Sequence, residues 1–545
     1  MSLFSILTVA TRGLQASQLA MDVASQNISN ADVEGYSRKR LNTTADYRTD
    51  GTFGQMGFGV NVIDIERMRN SFIDEQIRQQ TQQVGYYTEI DQTYQNVENV
   101  FTEPSDTGLQ QYMNQFFDSW QNLANNPADM SARTMVKTNG EILTNVFHNL
   151  ATLLSNSRQE KNDEISQRVN KVNQLTQEIF NLNKEIAAVE ISDQHANDSR
   201  DKRDKDLKDL SNLIDIDTQE NKLGQITVST GGSIIVSPAY QQDIETTTSS
   251  YQAANGDTIT DIGLRFADSK LTFTPIAGQI RGLIDSRDVV IPEYQKKLDT
   301  LANALIAKTN EVHEKGYSLN GISGNDFFDP ASTGASDINL SPSILSNVQN
   351  IAAATGGETL VAPTLNFALV YGTAGTLGKT NINQGSLIVK ANNTTLTENA
   401  DYQVDYRTGA IQMLHAGYDG LGLIATFTYT SGSFKGPGDN SNAIAIAQLR
   451  QQLTMDSDNL GNPTSTFSEN YASIIGRLGL DRNEATSNLD SRTHLVTQYE
   501  TQQDSTAGVS LDEEMADIIK FQHTYQASAR IITTTSEMLD TLLKM

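Results

Sequence analysis

The sequence predicts a multidomain α+β protein with a coiled-coil-like pair of terminal helices, a bundle of long helices, and two projecting β-rich domains. Three observations predict it. Both ends of the chain carry apolar residues at alternating spacings of four and three, the pattern of a helix seam. Long tracts with helical spacing and almost no Pro lie between them. Two stretches, 214–276 and 356–436, switch to short β-branched and aromatic runs punctuated by Gly, Asn and Asp. The 545 residues are 37% hydrophobic, enough for sizeable cores in about three to four domains.

Composition excludes several classes of function. A net charge of −26 argues against nucleic acid, since phosphate binding needs clustered Lys and Arg. The one short basic run is Arg38-Lys39-Arg40. With no cysteine there are no disulfides, thiolate metal sites or Cys nucleophiles, which suits life outside the cell. The first residues lack a basic region and a small-residue cleavage site, so they read as an amphipathic helix and not a signal peptide. No apolar run of about 18 residues exists, so no membrane-spanning helix is expected.

In residues 1–62, Leu3, Leu7, Ala10, Leu14, Ser17, Met21, Ala24 and Ile28 form the first seam. Asn27 to Asn30 end the helix, because their side chains bond freed backbone groups. Gly35 permits a sharp turn into an extended segment, and Gly51, Gly54, Gly57 and Gly59 read as a Gly-dense loop without phosphate-cradle spacing.

Residues 63–213 read as the first part of a helical domain. A helix is expected from Glu66 to about Phe101, with Phe72, Ile73, Ile77 and Val97 among its apolar residues. Pro104, Ser105, Asp106 and Gly108 break it. Leu109–Ala124 carries an aromatic stripe, Tyr112, Phe116, Phe117 and Trp120, expected in a core. A long helix follows over about Ala132–Ile191. The charge run Asn197–Leu213 is expected to be a solvated face with Leu207, Leu210 and Leu213 buried.

Residues 214–276 form the first β-rich stretch, with runs at Ile226–Val228, Ser233–Val236, Ile262–Phe266 and Leu271–Phe273. Residues 277–355 return to helix over about Gly282–Lys315 and then connect onward. Residues 356–436 form a second β-rich segment with Gly-rich joints and a hairpin turn at Arg407-Thr408-Gly409. Residues 437–508 complete the helical part, with helices expected at Asn442–Leu453, Ser468–Leu478 and Glu484–Thr506.

In residues 509–545, Leu511, Met515, Ile518, Gln522, Tyr525, Ala529, Ile532, Ser536, Leu539 and Leu543 form the second seam. Ser510 and Glu513 have capping-box spacing, and Asp512, Glu513 and Glu514 suit the positive end of a helix dipole. Phe521, Ser528, Thr535 and Leu542 widen the stripe beyond the width of one partner helix.

No motif specifies chemistry. His313-Glu314-Lys315-Gly316-Tyr317 starts like HExxH but has Tyr at the second ligand position. Asp215–Ile226 fails as a calcium loop, with Glu220 at its sixth and Ile226 at its twelfth position. GTLGKT at Gly375–Thr380 lacks the first Gly of a phosphate loop, Thr373 standing there instead. No catalytic, metal-binding or cofactor-binding residue is expected, and no enzyme.

The stretch GLQASQLAMDVASQNISNADVEGYSRKRL resembles the N-terminal signature of bacterial flagellar axial proteins. NDSRDKRDKDLKDLS, GQIRGLIDSRDVVIPEYQKKLDTLANALIAKTNEVHEKGYSLNGISGNDFF, GDNSNAIAIAQLR and GVSLDEEMADIIKFQHTYQASARIITTTSEMLDTLL are similar to the first flagellar hook-associated protein family. The likeness covers about four-fifths of the chain, and Gly356–Gly436 stands out as an insertion against the family pattern. It implies a structural subunit at the junction of hook and filament, exported unfolded through the flagellar type III apparatus and assembled as a ring outside the cell. The implied partners are the flagellar hook protein, a second junction protein toward the filament, further copies of the chain, the export apparatus and a cytoplasmic export chaperone. The assembly interface is then expected at Leu3, Leu7, Leu14, Met21, Ile28, Asn27, Asn30, Gly35 and Tyr36, and at Leu511, Met515, Ile518, Tyr525, Ile532, Leu539 and Leu543. Two rival readings are another axial protein of the hook or distal rod, and an enzyme or adhesin carried on 356–436, the adhesin with a glycan-binding face using Tyr402, Tyr406 or Tyr429.

Overall fold

The computed structural model describes residues 3–50, 54–102, 108–192, 194–252, 258–355, 358–380, 382–383, 385–406, 408–431, 436–457 and 461–544. Helix α1 (Leu3–Ser29) turns into a hairpin of two long antiparallel strands, β1 (Lys39–Asp50) and β2 (Gly54–Arg67). The glycines expected to form a loop lie largely in β2, and Gly51 falls outside the described residues. Gly in a strand marks a bulge or a close approach. Both occur here: the register shifts beside Phe58 and Ile63, and an added Cβ at Gly59 would stand 3.3 Å from Val9 Cα of α1.

Helix α2 (Ser71–Phe101) starts later than its apolar spacing suggests, because Glu66 and Arg67 end β2. Asn70 caps it by accepting from Phe72 N at 3.0 Å. Phe72 is 68% exposed, contrary to expectation: Ile73 and Ile77 carry the buried stripe, and Phe72 lies about 100° round the helix from Ile73. Pro104, Ser105 and Asp106 fall outside the described residues. Helices α3 (Leu109–Asn125), α4 (Met130–Glu190) and α5 (Asn197–Leu213) follow. The aromatic stripe of α3 is core as expected, with Phe116 and Trp120 fully buried against Phe327.

Next come β3 (Asp217–Glu220), β4 (Ile226–Thr230) and β5 (Ser233–Val236) in one sheet, and β6 (Ile244–Gln252), β7 (Thr258–Phe266) and β8 (Thr272–Phe273) in another. These sheets do not stand apart from the bundle as a projecting domain. Ile226, Val228, Leu264 and Phe266 share one hydrophobic cluster with Val169, Val172 and Ile179 of α4 and with Leu207 and Leu210 of α5. Three asparagines of α4 make the dock specific. Each donates to the carbonyl of one strand residue and accepts an N–H through its other atom: Asn162 on Thr260 and Ile262, Asn173 on Ile244, Asn183 on Ile226. At spacings of eleven and ten residues they sit about three helical turns apart, on one face. The strand edge thus meets a helix without losing its backbone bonds.

Helix α6 (Gly278–Asp285) runs through a π-helical turn, Ser286–Val290, into α7 (Ile291–His313). His313 is a core residue. Its Nδ1–H donates to Asn325 O at 2.5 Å and its Nε2 accepts from Ala352 N at 2.9 Å, and burial pushes its pKa down to about 4. Strand β9 (Gly316–Tyr317), the short α8 (Pro342–Ser346) and β10 (Ala354–Thr355) close this part, β10 pairing with β9.

Residues 358–431 form nine short strands: β11 (Glu358–Val361), β12 (Leu365–Phe367), β13 (Ala374–Thr376), β14 (Ile388–Ala391), β15 (Thr394–Thr395), β16 (Tyr402–Asp405), β17 (Ala410–Met413), β18 (Leu423–Thr426) and β19 (Thr428–Ser431). Every buried residue of their hydrophobic cluster comes from Ala362–Phe427. Strands β11 and β19 pair antiparallel, so the chain arrives and leaves side by side. The joints at Gly356, Gly357 and Gly432, and Arg407 of the expected turn, fall outside the described residues. Tyr402 is buried, and half-buried Tyr406 and Tyr429 pack against the same cluster, so these rings contribute to a core.

Helix α9 (Ser441–Gln448) is followed by α10 (Phe467–Ala507), one continuous helix where the sequence suggests two, and by α11 (Leu511–Lys544). Thr466 and Glu469 cap α10 reciprocally, a complete capping box. Among the described residues no helix is long and apolar enough to cross a membrane.

Candidate assembly surface and its joint

Helices α1 and α11 pack against each other, and two contacts fix their sense. An added Cβ on Gly13 would stand 3.1 Å from Ser528 Oγ, and Asn27 Nδ2 donates to Glu514 Oε2 at 3.0 Å. Residues low in α1 thus meet residues high in α11, so the pair is antiparallel. The stripe of α1 that faces α11 contains Ala10, Gly13, Ser17, Ala20, Ala24 and Asn27. Its small members let the backbones approach. Gly13 costs about 1 kcal/mol of helix propensity against Ala and gives room for Ser528.

The observed seam therefore differs from the expected one. On α1, Ala10, Ser17 and Ala24 are buried as the seam requires, while Leu7, Leu14, Met21 and Ile28 are half-buried flanks; the side chain of Leu3 falls outside the described residues. On α11 the buried heptad line is Glu514, Ser528 and Thr535, with half-buried Phe521. Ile518, Tyr525, Ile532 and Leu539 are half-buried beside it. Leu511, Met515 and Leu543 point away, 50%, 57% and 84% exposed, together with Ile519 and Met538. One partner helix covers only one stripe of a helix that is apolar over a wider arc.

The other side of α1 lies on the β1–β2 hairpin, where Arg12 pairs with Asp46 and donates to Phe58 O at 3.3 Å. At its last turn, Asn27 is buried and fully used. Its Nδ2 donates to Lys39 O at 2.9 Å and to Glu514, and its Oδ1 accepts from Lys39 N at 3.0 Å and Tyr36 OH at 2.9 Å. Burial, then Asp198, Asp201 and Glu514, push the Tyr36 hydroxyl up to about 12. Asn30 Nδ2 donates to Gln26 O at 3.0 Å, closing the helix end. Gly35 takes φ +84°, the left-handed conformation the turn needs.

Arg38 follows the turn. Its Nε donates to Glu514 Oε1 at 2.6 Å and its Nη1 to Glu513 Oε2 at 3.0 Å. Glu513 N lies 3.5 Å from Ser510 Oγ, a weak half of the expected box, and its carboxylate is turned to Arg38.

The charge run of α5 is the main correction. Asp201, Arg203, Asp204 and Asp206 are buried, not solvated. Asp201 accepts from Ser37 N at 3.0 Å and Ser37 Oγ at 2.7 Å. Arg67 Nη1 donates to Asp201 at 3.0 Å and to Asp204 at 2.6 Å, and Lys39 pairs with Asp198. Burial alone would raise the Asp204 carboxyl, but Arg67, Arg69 and Arg203 hold it below its ordinary value. A run of charges can be buried where partners from distant segments meet it. Sequence shows the charges but not those partners, which lie more than a hundred residues away.

Residues 7–36 match the family model of the flagella basal body rod protein, 501–545 that of the flagellar basal body rod FlgEFG protein C-terminal region, and 94–328 that of the flagellar hook-associated protein FlgK helical domain. Paired terminal helices carrying both rod-protein signatures define a flagellar axial protein. Flagellar hook-associated protein 1 of Bacillus subtilis is 29% identical over 99% of this chain and 98% of its own length; that of Escherichia coli is 26% identical over 99% and 100%. Over its full length the chain is thus similar to flagellar hook-associated protein 1, and its central part matches that family's helical domain. Its fold is similar to the flagellar hook junction protein FlgK from Burkholderia pseudomallei, with 18% identity and a TM-score of 0.57 over 80% of this chain and 100% of that one.

Proposed function

We propose that this chain is the structural subunit that joins the flagellar hook to the filament, exported unfolded and assembled as a ring of identical copies. The observation that carries this reading is the end-to-end likeness to hook-associated protein 1, which spans the terminal pair and the helical body alike. The exposed stripe Leu511, Met515 and Leu543 supports it, because apolar surface of this kind is a site for association. The partners would be the hook protein on one side and a second junction protein on the other. Before export, a chaperone would cover the same stripe. Asn27, Gly35 and Tyr36 would contribute indirectly, by holding the pair in place behind that surface. Electron microscopy of a strain lacking this protein tests the reading: hooks without filaments are expected, and filaments of normal length and attachment would refute it.

A further inference from the structure

We propose that Arg38 sets the inclination of the terminal helix pair against the helical body. Three chain segments cross at this joint: the one leaving α1, the one leaving the hairpin, and the short link Gly508-Val509-Ser510 between α10 and α11. Arg38 lies on the first and bonds to residues at the other two. Its N–H donates to Ala507 O at 2.8 Å, its carbonyl accepts from Met68 N at 2.7 Å, and its guanidinium spreads over the first turn of α11. The residues around Arg38 reach the body, although the backbone of Lys39 is also bonded to Asn27 of α1. Ser37, Lys39 and Arg67 are tied to the acidic face of α5 and form a fixed socket. From that socket the Arg38 side chain reaches across to Glu513 and Glu514.

A solvent-accessible groove runs through the joint, lined by Gly35 and Arg38 on one wall and Lys205, Glu500, Gly508 and Glu513 elsewhere. Asn27, by contrast, ties the end of α1 to the start of α11 from inside, so the pair holds together as a unit. The pair rests on the β1–β2 hairpin along α1 and meets the body through a three-residue link at α11, and at that link the bonds of Arg38 are charge-assisted and partly buried. This inference stands on the geometry of the single chain and does not depend on the proposed junction role.

The chain has no cysteine, so spin labels can be placed freely on the full-length protein. One labelled pair, Gln526→Cys with Thr497→Cys, reads α11 against the body; a second, Gln18→Cys with Gln526→Cys, reads α1 against α11. In the parent chain both distance distributions should be narrow. Arg38→Gln should broaden or shift the first and leave the second unchanged, and Glu513→Gln with Glu514→Gln should reproduce this from the other side of the contact. An Arg38→Gln distribution identical to the parent would overturn the proposal. So would a broad first distribution in the parent, which would mean that no angle is set, or loss of the α1–α11 distance in both variants, which would mean that Arg38 holds the pair together and not its inclination.

Discussion

Asp206 on α5 is buried with one carboxylate oxygen lacking a hydrogen-bond partner among the described residues. Burial, then the like charge of Glu178, push it up to about 6. Its folded pKa lies above the unfolded value, so the folded state binds the proton more tightly. The penalty of the charged form is complete above pH 6, shrinks as pH falls, and is gone below about pH 4. Asp206→Asn should therefore gain about 1–2 kcal/mol at pH 8 in urea unfolding and nothing at the acid end; a constant gain at both pH values would contradict this account. Asp204, two residues away, works in the opposite sense. Its folded pKa is depressed, so its contribution is present above the unfolded value and is lost as pH falls through and below it. The sequence marks Asn27, Gly35 and Tyr36 as special, since a helix end, a left-handed turn and a ring stand together. It shows Arg38 only as part of a short basic run, because its carboxylate partners lie 476 and 475 residues along the chain.

The pair α1–α11 shows what periodicity can and cannot reveal in a whole element. Alternating fours and threes locate both helices and include the buried Ala10, Ser17, Ala24, Ser528 and Thr535, yet they do not rank these small residues above the Leu and Met beside them. Where two backbones approach closely, Ala, Gly and Ser are buried and Leu and Met are left as flanks. Ser528→Leu should then overpack the contact with Gly13, costing about 1–3 kcal/mol and speeding amide exchange in both helices. Met515→Lys, on the outward stripe, should leave exchange in the free chain unchanged and abolish junction formation. If the two variants behave alike in the free chain, the assignment of faces is wrong. Other misses have equally local causes. The sequence suggests a gap between Leu478 and Glu484, but Leu478 and Ala485 are buried on either side of it and the helix runs through. Strand β6 escapes a search for apolar alternation because its sequence is IETTTSSYQ.

At the scale of the molecule, the segment 358–431 closes its own core and returns its chain beside the point of departure. Replacing it with a short Gly-Ser linker should leave the helical body folded, with cooperative unfolding and a Tm within a few degrees of the parent. Loss of cooperative unfolding would show that the body relies on this segment. The same operation on 214–276 should not succeed, since those strands complete the core of α4 and α5 and satisfy Asn162, Asn173 and Asn183. The two β-rich stretches look alike in sequence, because alternation of short strands and turns is local. Which surface a strand is buried against is not.

The contact between Asn27 and Glu514 joins positions 487 residues apart. Closing so long a loop directly would cost about 5 kcal/mol in chain entropy. The body removes most of that cost in advance: once α10 is in place, Ala507 already lies against Arg38, and α11 has only a three-residue link to cross. Formation of the terminal pair is thus favoured once α10 has docked, whatever the state of 358–431. The hairpin that follows α1 covers one side of it from nearby in the chain, while the stripe opposite stays uncovered until the final helix arrives, so the joint acts as a clock that starts only with the last residues.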